Sequence, residues 1–514
     1  MMTYKKIMLL GLACVTHTLM AAERPNVVII YGDDVGYGDV GVYGSKLIPT
    51  PNIDRLAAEG LRFTDGHSSA ATCSPSRYSM LTGEHAFRKG VSILGPTAGM
   101  IVPTDVLTLP KMFRQAGYAT GVIGKWHLGL GDGVTPIDWN GAVKPGPLEI
   151  GFDSSFLVPI TNDRVPSVYL KNHRVQNLDP ADPLYVSGKI KDIRAYTGST
   201  QYPDAKTNPE AITNMKASNH QHTHTIINGI PRLRYMCGGK SALFRDEDMA
   251  DDFLEQTVEF IETHKDRPFF LFFAAVDVHV PRAPHERFVG KTALGPRGDA
   301  MVQFDWTTGA IIELLEKHGL TENTIVIFSS DNGPVYDDGY LDGTVVKQSD
   351  EEVDQGHDAS GVWRAGKYQI YEGGTRVPLI IKWPGRIEPG VSDALVNQVD
   401  FMASFADLLD IELPDGEARD SRNILKTFLG KDSAGLPYMI EEAQHTTLAL
   451  RSGDWKFVRP SEHPRGRIKE RELYNVRLDP SEQNNLVAAY PEKADAMAEQ
   501  LEMLIESNGL RTKK

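Results

Sequence analysis

Four short apolar runs constrain the fold of this chain more than anything else in it. They are VVII at 27–30, TGVIG at 120–124, FFLFFAAV at 269–276 and TIVIF at 324–328. Each is short and carries no polar alternation, the pattern of a strand buried on both faces. Helical segments are predicted between them: 50–63, opened by Pro51 and Asn52 and closed near Gly60, the start of 109–129, then 249–264 and 304–319. Helix alternating with buried strand predicts an α/β sandwich around a mostly parallel sheet. A chain of 514 residues, 41% hydrophobic, has enough apolar side chains for that core and a second, smaller one.

The rhythm fails between about 134 and 245, a stretch rich in Pro, Asn, Asp and His that reads as insertions rather than a separate domain. A further insertion is expected at 335–358. Long loops on a compact scaffold are where binding residues concentrate. Beyond about 432 the pattern changes again. A hairpin pair is predicted at 447–460, a strand leading into a capped helix at 472–486, and a last helix after that. The expected division is a leader at 1–22, a main α/β domain at 23–432, and a small α+β subdomain with a short antiparallel sheet at 433–514.

The leader reads as an export signal. Lys5 and Lys6 precede an apolar run at 7–15, and Ala21 and Ala22 precede Glu23. The run is too short to span a bilayer, so a periplasmic or secreted protein without stable membrane insertion is expected. The net charge of −14 argues against a nucleic-acid partner. If Cys14 leaves with the leader, Cys73 and Cys237 remain, which is no disulfide framework.

The chemistry gathers where the strands end. Ligands of open α/β sheets bind beyond the carboxyl ends of strands. Asp33 and Asp34 follow the first run, Lys125 and His127 the second, His279 the third, and Asp331 and Asn332 the fourth. Three carboxylates and an amide suit a hard divalent cation, calcium or magnesium, better than zinc. Lys125 and Lys367 can hold an anion beside that cation, and His127 and His279 can exchange protons near neutral pH.

The element Cys73-Ser74-Pro75-Ser76-Arg77 with Leu81-Thr82-Gly83 resembles the signature of the formylglycine-dependent sulfatases, the type I arylsulfatase-like family. GKWHLG at 124–129, VHVP at 278–281, SSDNG at 329–333 and GKYQIYEGGTRVP at 366–378 extend the resemblance. It implies an alkaline-phosphatase-like fold and a sulfuric ester hydrolase. It also implies that a maturation enzyme oxidises Cys73 to formylglycine (3-oxoalanine), whose hydrate attacks sulfur and then expels sulfate without a second attack by water. By the same resemblance Asp33, Asp34, Asp331, Asn332 and the modified Cys73 bind the metal, expected to be calcium. Arg77 supports the hydrate, Lys125 and Lys367 clamp sulfate, His127 is the base and His279 the acid.

Three loop stretches, 162–180, 219–230 and 331–340, resemble a bacterial carbohydrate-sulfatase subgroup. That implies an exo-acting enzyme on sulfated galactose or N-acetylgalactosamine, often at O4. Asp163, Arg164, His222, His357 and Arg364 are the candidates for reading the sugar. Two rivals stand beside this expectation: a phosphomonoester or phosphonate hydrolase of the same superfamily, and a non-catalytic protein that binds sulfated glycans.

Overall fold

The computed structural model describes residues 24–218, 221–335, 338–342 and 356–511. The expected leader at 1–22 and most of the insertion at 335–358 lie outside them. The central sheet has ten strands: β1 Asn26–Gly32, β2 Leu61–Phe63, β3 Ala119–Lys125, β4 Ser154–Val158, β5 Leu170–Lys171, β6 Arg174–Val175, β7 Phe269–Ala274, β8 Thr324–Ser330, β9 Leu379–Lys382 and β10 Gly390–Ser392. Their order across the sheet is β10-β2-β9-β8-β1-β7-β3-β4-β5-β6. The five strands from β8 to β4 are mutually parallel, and antiparallel pairs appear only outside them. The four apolar runs of the sequence are β1, β3, β7 and β8, side by side in its middle.

Strand alternation assigns the residues of β1 to two cores. Val27, Ile29 and Tyr31 enter one, Val28 and Ile30 the other. The first core is closed by α2 Cys73–Thr82, α3 Leu109–Gln115 and α6 Phe401–Leu408 through Tyr78, Phe113 and Phe405. The second is closed by α1 Pro51–Ala58, α4 Met249–His264 and α5 Pro296–Lys317 through Leu56, Phe253 and Phe304. Helix α5 begins at Pro296, well before the expected 304, because Gly295 makes a left-handed turn (φ 61°) into a proline suited to the first helical position.

The stretch 134–245 is not all insertion. It supplies β4, β5 and β6 to one edge of the central sheet, while β2, β9 and β10 form the other. These strands are two to five residues long, too short to show a period in sequence.

The C-terminal sheet comprises β11 Tyr438–Ala443, β12 Thr447–Ser452, β13 Trp455–Val458 and β14 Glu472–Asn475, all antiparallel. Helix α7, Pro491–Glu506, covers one face with Met497 and Leu501 against Leu450 and Phe457. The expected hairpin is β12–β13. The capped helix expected after β14 is absent. The Asp479 carboxylate accepts from the backbone N–H of Asn484 (2.8 Å), and Glu482 turns inward with φ 49°. There it meets Lys456, whose Nζ lies 2.6 Å from Glu441, 3.1 Å from Glu372 and 3.4 Å from Glu482. This buried ion network ties the sheet to the loop carrying Lys367. Cys73 and Cys237 are both buried and free, and no helix among the described residues is long and apolar enough to cross a membrane.

Candidate active site

Parallel β8, β1, β7 and β3 end on the same edge, so the residues following them converge. Asp33 and Asp34 leave β1, Asp331 and Asn332 leave β8, Lys125 ends β3, and His279 follows β7. Across from them, α2 presents Cys73 as its first residue, 1% exposed. Its Sγ is 3.9 Å from Asp33 Oδ1. Arg77 is one helical turn further on the same face. Its Nε donates to Asp331 Oδ2 (2.8 Å) and its Nη1 to the Lys125 carbonyl (3.0 Å), and the guanidinium lies over the Tyr31 ring. Its Nη2 is buried with no hydrogen-bond partner.

Two ammonium groups offset the carboxylates. Lys125 Nζ lies 2.6 Å from Asp33 Oδ2 and 3.7 Å from Asp331 Oδ2. Lys367 Nζ lies 2.8 Å from Asp34 Oδ2 and 3.5 Å from Asp338. Burial pushes Asp33 up, with Lys125 pulling against it; burial and the adjacent Asp33 push Asp331 up. Burial also raises Asp34, but Lys367, His279 and Lys125 outweigh it and leave its carboxyl below the usual range. The Cys73 thiol is pushed up to about 12 by burial, despite Lys125 and Lys367, so a plain cysteine here stays protonated and unreactive.

Both histidines are held neutral. Burial lowers His127 well below its ordinary value, and Arg164 and Lys125 add to this. Burial, Lys367 and Lys125 lower His279 to about 3. His127 Nε2 faces both the Leu94 carbonyl (3.1 Å), which can only accept, and Arg164 Nη1 (3.1 Å), which can only donate, while its Nδ1 is buried with no hydrogen-bond partner. His279 Nδ1 faces the Val280 carbonyl (2.7 Å), leaving Nε2 toward Asp34, 3.9 Å away.

The donor set fits a hard divalent cation. Asp33, Asp34, Asp331 and Cys73 each offer an atom, all within 4.8 Å of one another. Asn332 Nδ2 donates to Asp34 Oδ1 (2.7 Å), while its Oδ1 is buried with no hydrogen-bond partner. An orphaned amide oxygen beside three carboxylates is the oxygen-rich environment such ions take.

Of the sugar-reading candidates, three cluster beside His127. His222 Nε2 lies 2.9 Å from Asp163 Oδ2, Arg164 Nε 3.5 Å from Asp163, and Arg164 Nη1 3.1 Å from His127 Nε2. The other two are engaged with partners of their own. Arg364 Nη1 donates to the Glu482 carbonyl (2.6 Å) and its guanidinium lies over Tyr371, so its charge is used in docking the C-terminal subdomain. His357 Nε2 pairs with Asp39 (2.9 Å), which also binds Arg297, and all three are buried. Sequence reasoning missed Asn162, whose Oδ1 is 3.1 Å from His279 Nδ1, and the Tyr368–Asp338 pair (3.0 Å) beside Lys367. Asn162 adjoins the Asp163–Arg164 pair already singled out, and Tyr368 adjoins Lys367, so position alone could have flagged both.

A buried cysteine at a helix N-terminus, faced by carboxylates, lysines and histidines on the carboxyl edge of an alkaline-phosphatase-like sandwich, defines a hydrolase of anionic esters. The chain belongs to the sulfatase family and is a sulfuric ester hydrolase: the Sulfatase model matches residues 25–411. The model of the N-sulphoglucosamine sulphohydrolase C-terminal region matches residues 363–508. The chain is 44% identical over 492 residues to the N-acetylgalactosamine-6-O-sulfatase of Bacteroides thetaiotaomicron, covering 94% of this chain and 93% of that one. It is 30% identical to human arylsulfatase A, covering 95% and 88% respectively. A solved Bacteroides thetaiotaomicron sulfatase, from work on the metabolism of multiple glycosaminoglycans, superposes with a TM-score of 0.89 at 43% identity, covering 95% of this chain and all of that one.

Proposed function

We propose that this protein is an exported carbohydrate sulfatase that removes the 6-sulfate of N-acetylgalactosamine at the end of a glycosaminoglycan-derived chain. The observation that carries the chemistry is the position of Cys73, sealed at the N-terminus of α2 against Asp33, Asp34 and Asp331. The choice of O6 follows the name of the 44% identical relative and replaces the O4 expected from the loop sequences. Burial of Lys125, His127 and Lys367 supports exo action, since a terminal sulfate reaches such a depth more readily than one inside a chain.

Formylglycine, made from Cys73 by a maturation enzyme, supplies a hydrated aldehyde as nucleophile. Asp33, Asp34, Asp331, Asn332 and residue 73 would hold calcium or magnesium, which lowers the negative charge facing the nucleophile. Lys125 and Lys367 flank the position and hold sulfate oxygens there. Arg77 Nη2, buried and without a hydrogen-bond partner, is the donor left to support the modified residue 73. His127 Nδ1 accepts the proton whose loss expels sulfate. His279 Nε2 gives a proton to the leaving sugar oxygen. Burial first, then Lys367 and Lys125, hold His279 neutral; a sulfate between the two lysines offsets their share and favours the imidazolium that can donate. Asp163, Arg164 and His222 read the sugar; the residues before about 433 form the catalytic domain, and those after it the subdomain that buttresses the Lys367 loop.

The test is sulfate release by the mature protein from N-acetylgalactosamine 6-sulfate, its 4-sulfate isomer and the 6-phosphate, with the mass of the residue-73 peptide measured alongside. Release from the 6-sulfate with an aldehyde at residue 73 is expected. A large preference for the phosphate ester, or tight binding without release, overturns the reading in favour of a phosphomonoesterase or a glycan-binding protein respectively.

A further inference from the structure

A cavity of about 460 Å³ lies beside the reaction centre, and no step of the proposed reaction uses it. Its volume falls within the roughly 300–1,000 Å³ common for small-molecule sites. Leu94 and Pro96 contribute apolar wall; Arg164, Lys206, His224 and Arg234 contribute polar wall, and no carboxylate is among its lining residues. In a chain of net charge −14, this is a local cationic field. Lys206 and Arg234 are exposed, and among the described residues neither side chain makes an ion pair. Both charges reach His224, which burial first, then Lys206 and Arg234, hold below its ordinary value, with Asp204 opposing.

Two residues place this cavity relative to the chemistry. Arg164 lines it and has Nη1 3.1 Å from His127 Nε2. Leu94 lines it, and its carbonyl faces the same nitrogen at 3.1 Å. An occupant therefore sits one side chain away from His127. The mixed wall suits a pyranose, with Leu94 and Pro96 against its C–H face and cations beside its charged substituent.

We propose that this cavity is a second sugar site, which takes the residue linked to the sulfated N-acetylgalactosamine, and that Lys206 and Arg234 recognise an anionic group on it, a carboxylate or a second sulfate. The proposal rests on the carbohydrate-sulfatase reading and extends it from one sugar to two. Two solvent-exposed charge contacts correspond to roughly fivefold in affinity, weakening with salt.

The experiment titrates Cys73→Ala protein by calorimetry with N-acetylgalactosamine 6-sulfate alone and linked to glucuronic acid, to glucose or to sulfated glucose. It is repeated in a Cys73→Ala background carrying Lys206→Ala and Arg234→Ala. About fivefold tighter binding of an anionic disaccharide than of the glucose one is expected, with the advantage lost in the triple variant. A glucuronate advantage identifies the carboxylate, an advantage confined to the sulfated disaccharide identifies a second sulfate, and either supports the site. No advantage over glucose, or one that survives the triple variant, overturns it. Sulfate release by the mature enzyme is read separately. Its failure with the anionic advantage intact breaks the proposed reaction and leaves the second sugar site standing.

Discussion

Arg77→Lys isolates the geometry of the guanidinium from its charge. Arg77 is fully buried; Nε binds Asp331, Nη1 binds the Lys125 carbonyl, and Nη2 is left for residue 73. A lysine keeps the positive charge near Asp331 but has no planar fork to reach three directions at once. It loses the bond to the Lys125 carbonyl and the one proposed to residue 73. Hydrogen bonds from charged groups contribute about 1.5–3 kcal/mol each, so two amount to about 3–6 kcal/mol. If that loss falls on the transition state, kcat/KM drops by about two to four decades. The assay is sulfate release divided by the fraction of chains carrying the aldehyde, because Arg77 also lies in the element resembling the maturation signal. Far-UV circular dichroism checks the fold. A loss under tenfold per aldehyde, in a folded protein, refutes the reasoning.

Removing divalent cations with a chelator should lower turnover at least about tenfold and lower Tm, with both restored by calcium or magnesium, since an ion bound only by the folded state stabilises it; unchanged Tm and turnover after verified metal depletion would count against the metal assignment. Asn162→Ala removes one of the two acceptors facing His279 Nδ1, leaving the Val280 carbonyl, and should lower kcat more than it raises KM, because the ring is held less firmly and no substrate contact is lost. Lys456→Met leaves Glu441 and Glu482 buried without their cation, while Glu372 keeps Arg376, and urea denaturation should register a loss of about 3–5 kcal/mol. Glu442 is fully buried with one N–H donor, Phe87, and burial pushes it up to about 8. The folded state therefore keeps a proton that the unfolded chain releases above its ordinary value near 4.5, and stability falls as pH rises from there toward 8. Glu442→Gln should raise Tm at pH 7.5 by removing up to about 4 kcal/mol of that penalty and change little at pH 4.5; an equal shift at both pH values rules out the titration.

The legible parts of this chain are those with local causes. The runs that became β1, β3, β7 and β8 are apolar at successive positions, so burial on both faces is written into each. The right-angle test of that logic is β14. Its strand was visible, but the helix expected after it is replaced by a turn because Glu482 is drawn inward to Lys456, a partner distant in sequence. Short flanking strands such as β5 and β9 owe their conformation to the neighbours they pair with, and carry no period of their own. The site divides the same way. Asp33, Asp34, Asp331 and Asn332 were readable because each directly follows a core strand. Arg364 and His357 looked equivalent to Arg164 in sequence, and only the structure shows their different partners, Glu482 and Tyr371 for Arg364, Asp39 for His357 and His127 for Arg164.

The sequence by itself determined the central parallel strands, the residues at their carboxyl ends and the element around Cys73, because these depend on neighbours along the chain. Tertiary structure alone decided that Cys73 is sealed against three carboxylates with an orphaned Asn332 oxygen beside them, and that burial and nearby cations hold His127 and His279 neutral. It also decided which loop cations face a cavity. Those properties arise from burial and from charges contributed by separate strands and loops, and desolvation and Coulomb interaction act on distance in space rather than on separation along the chain.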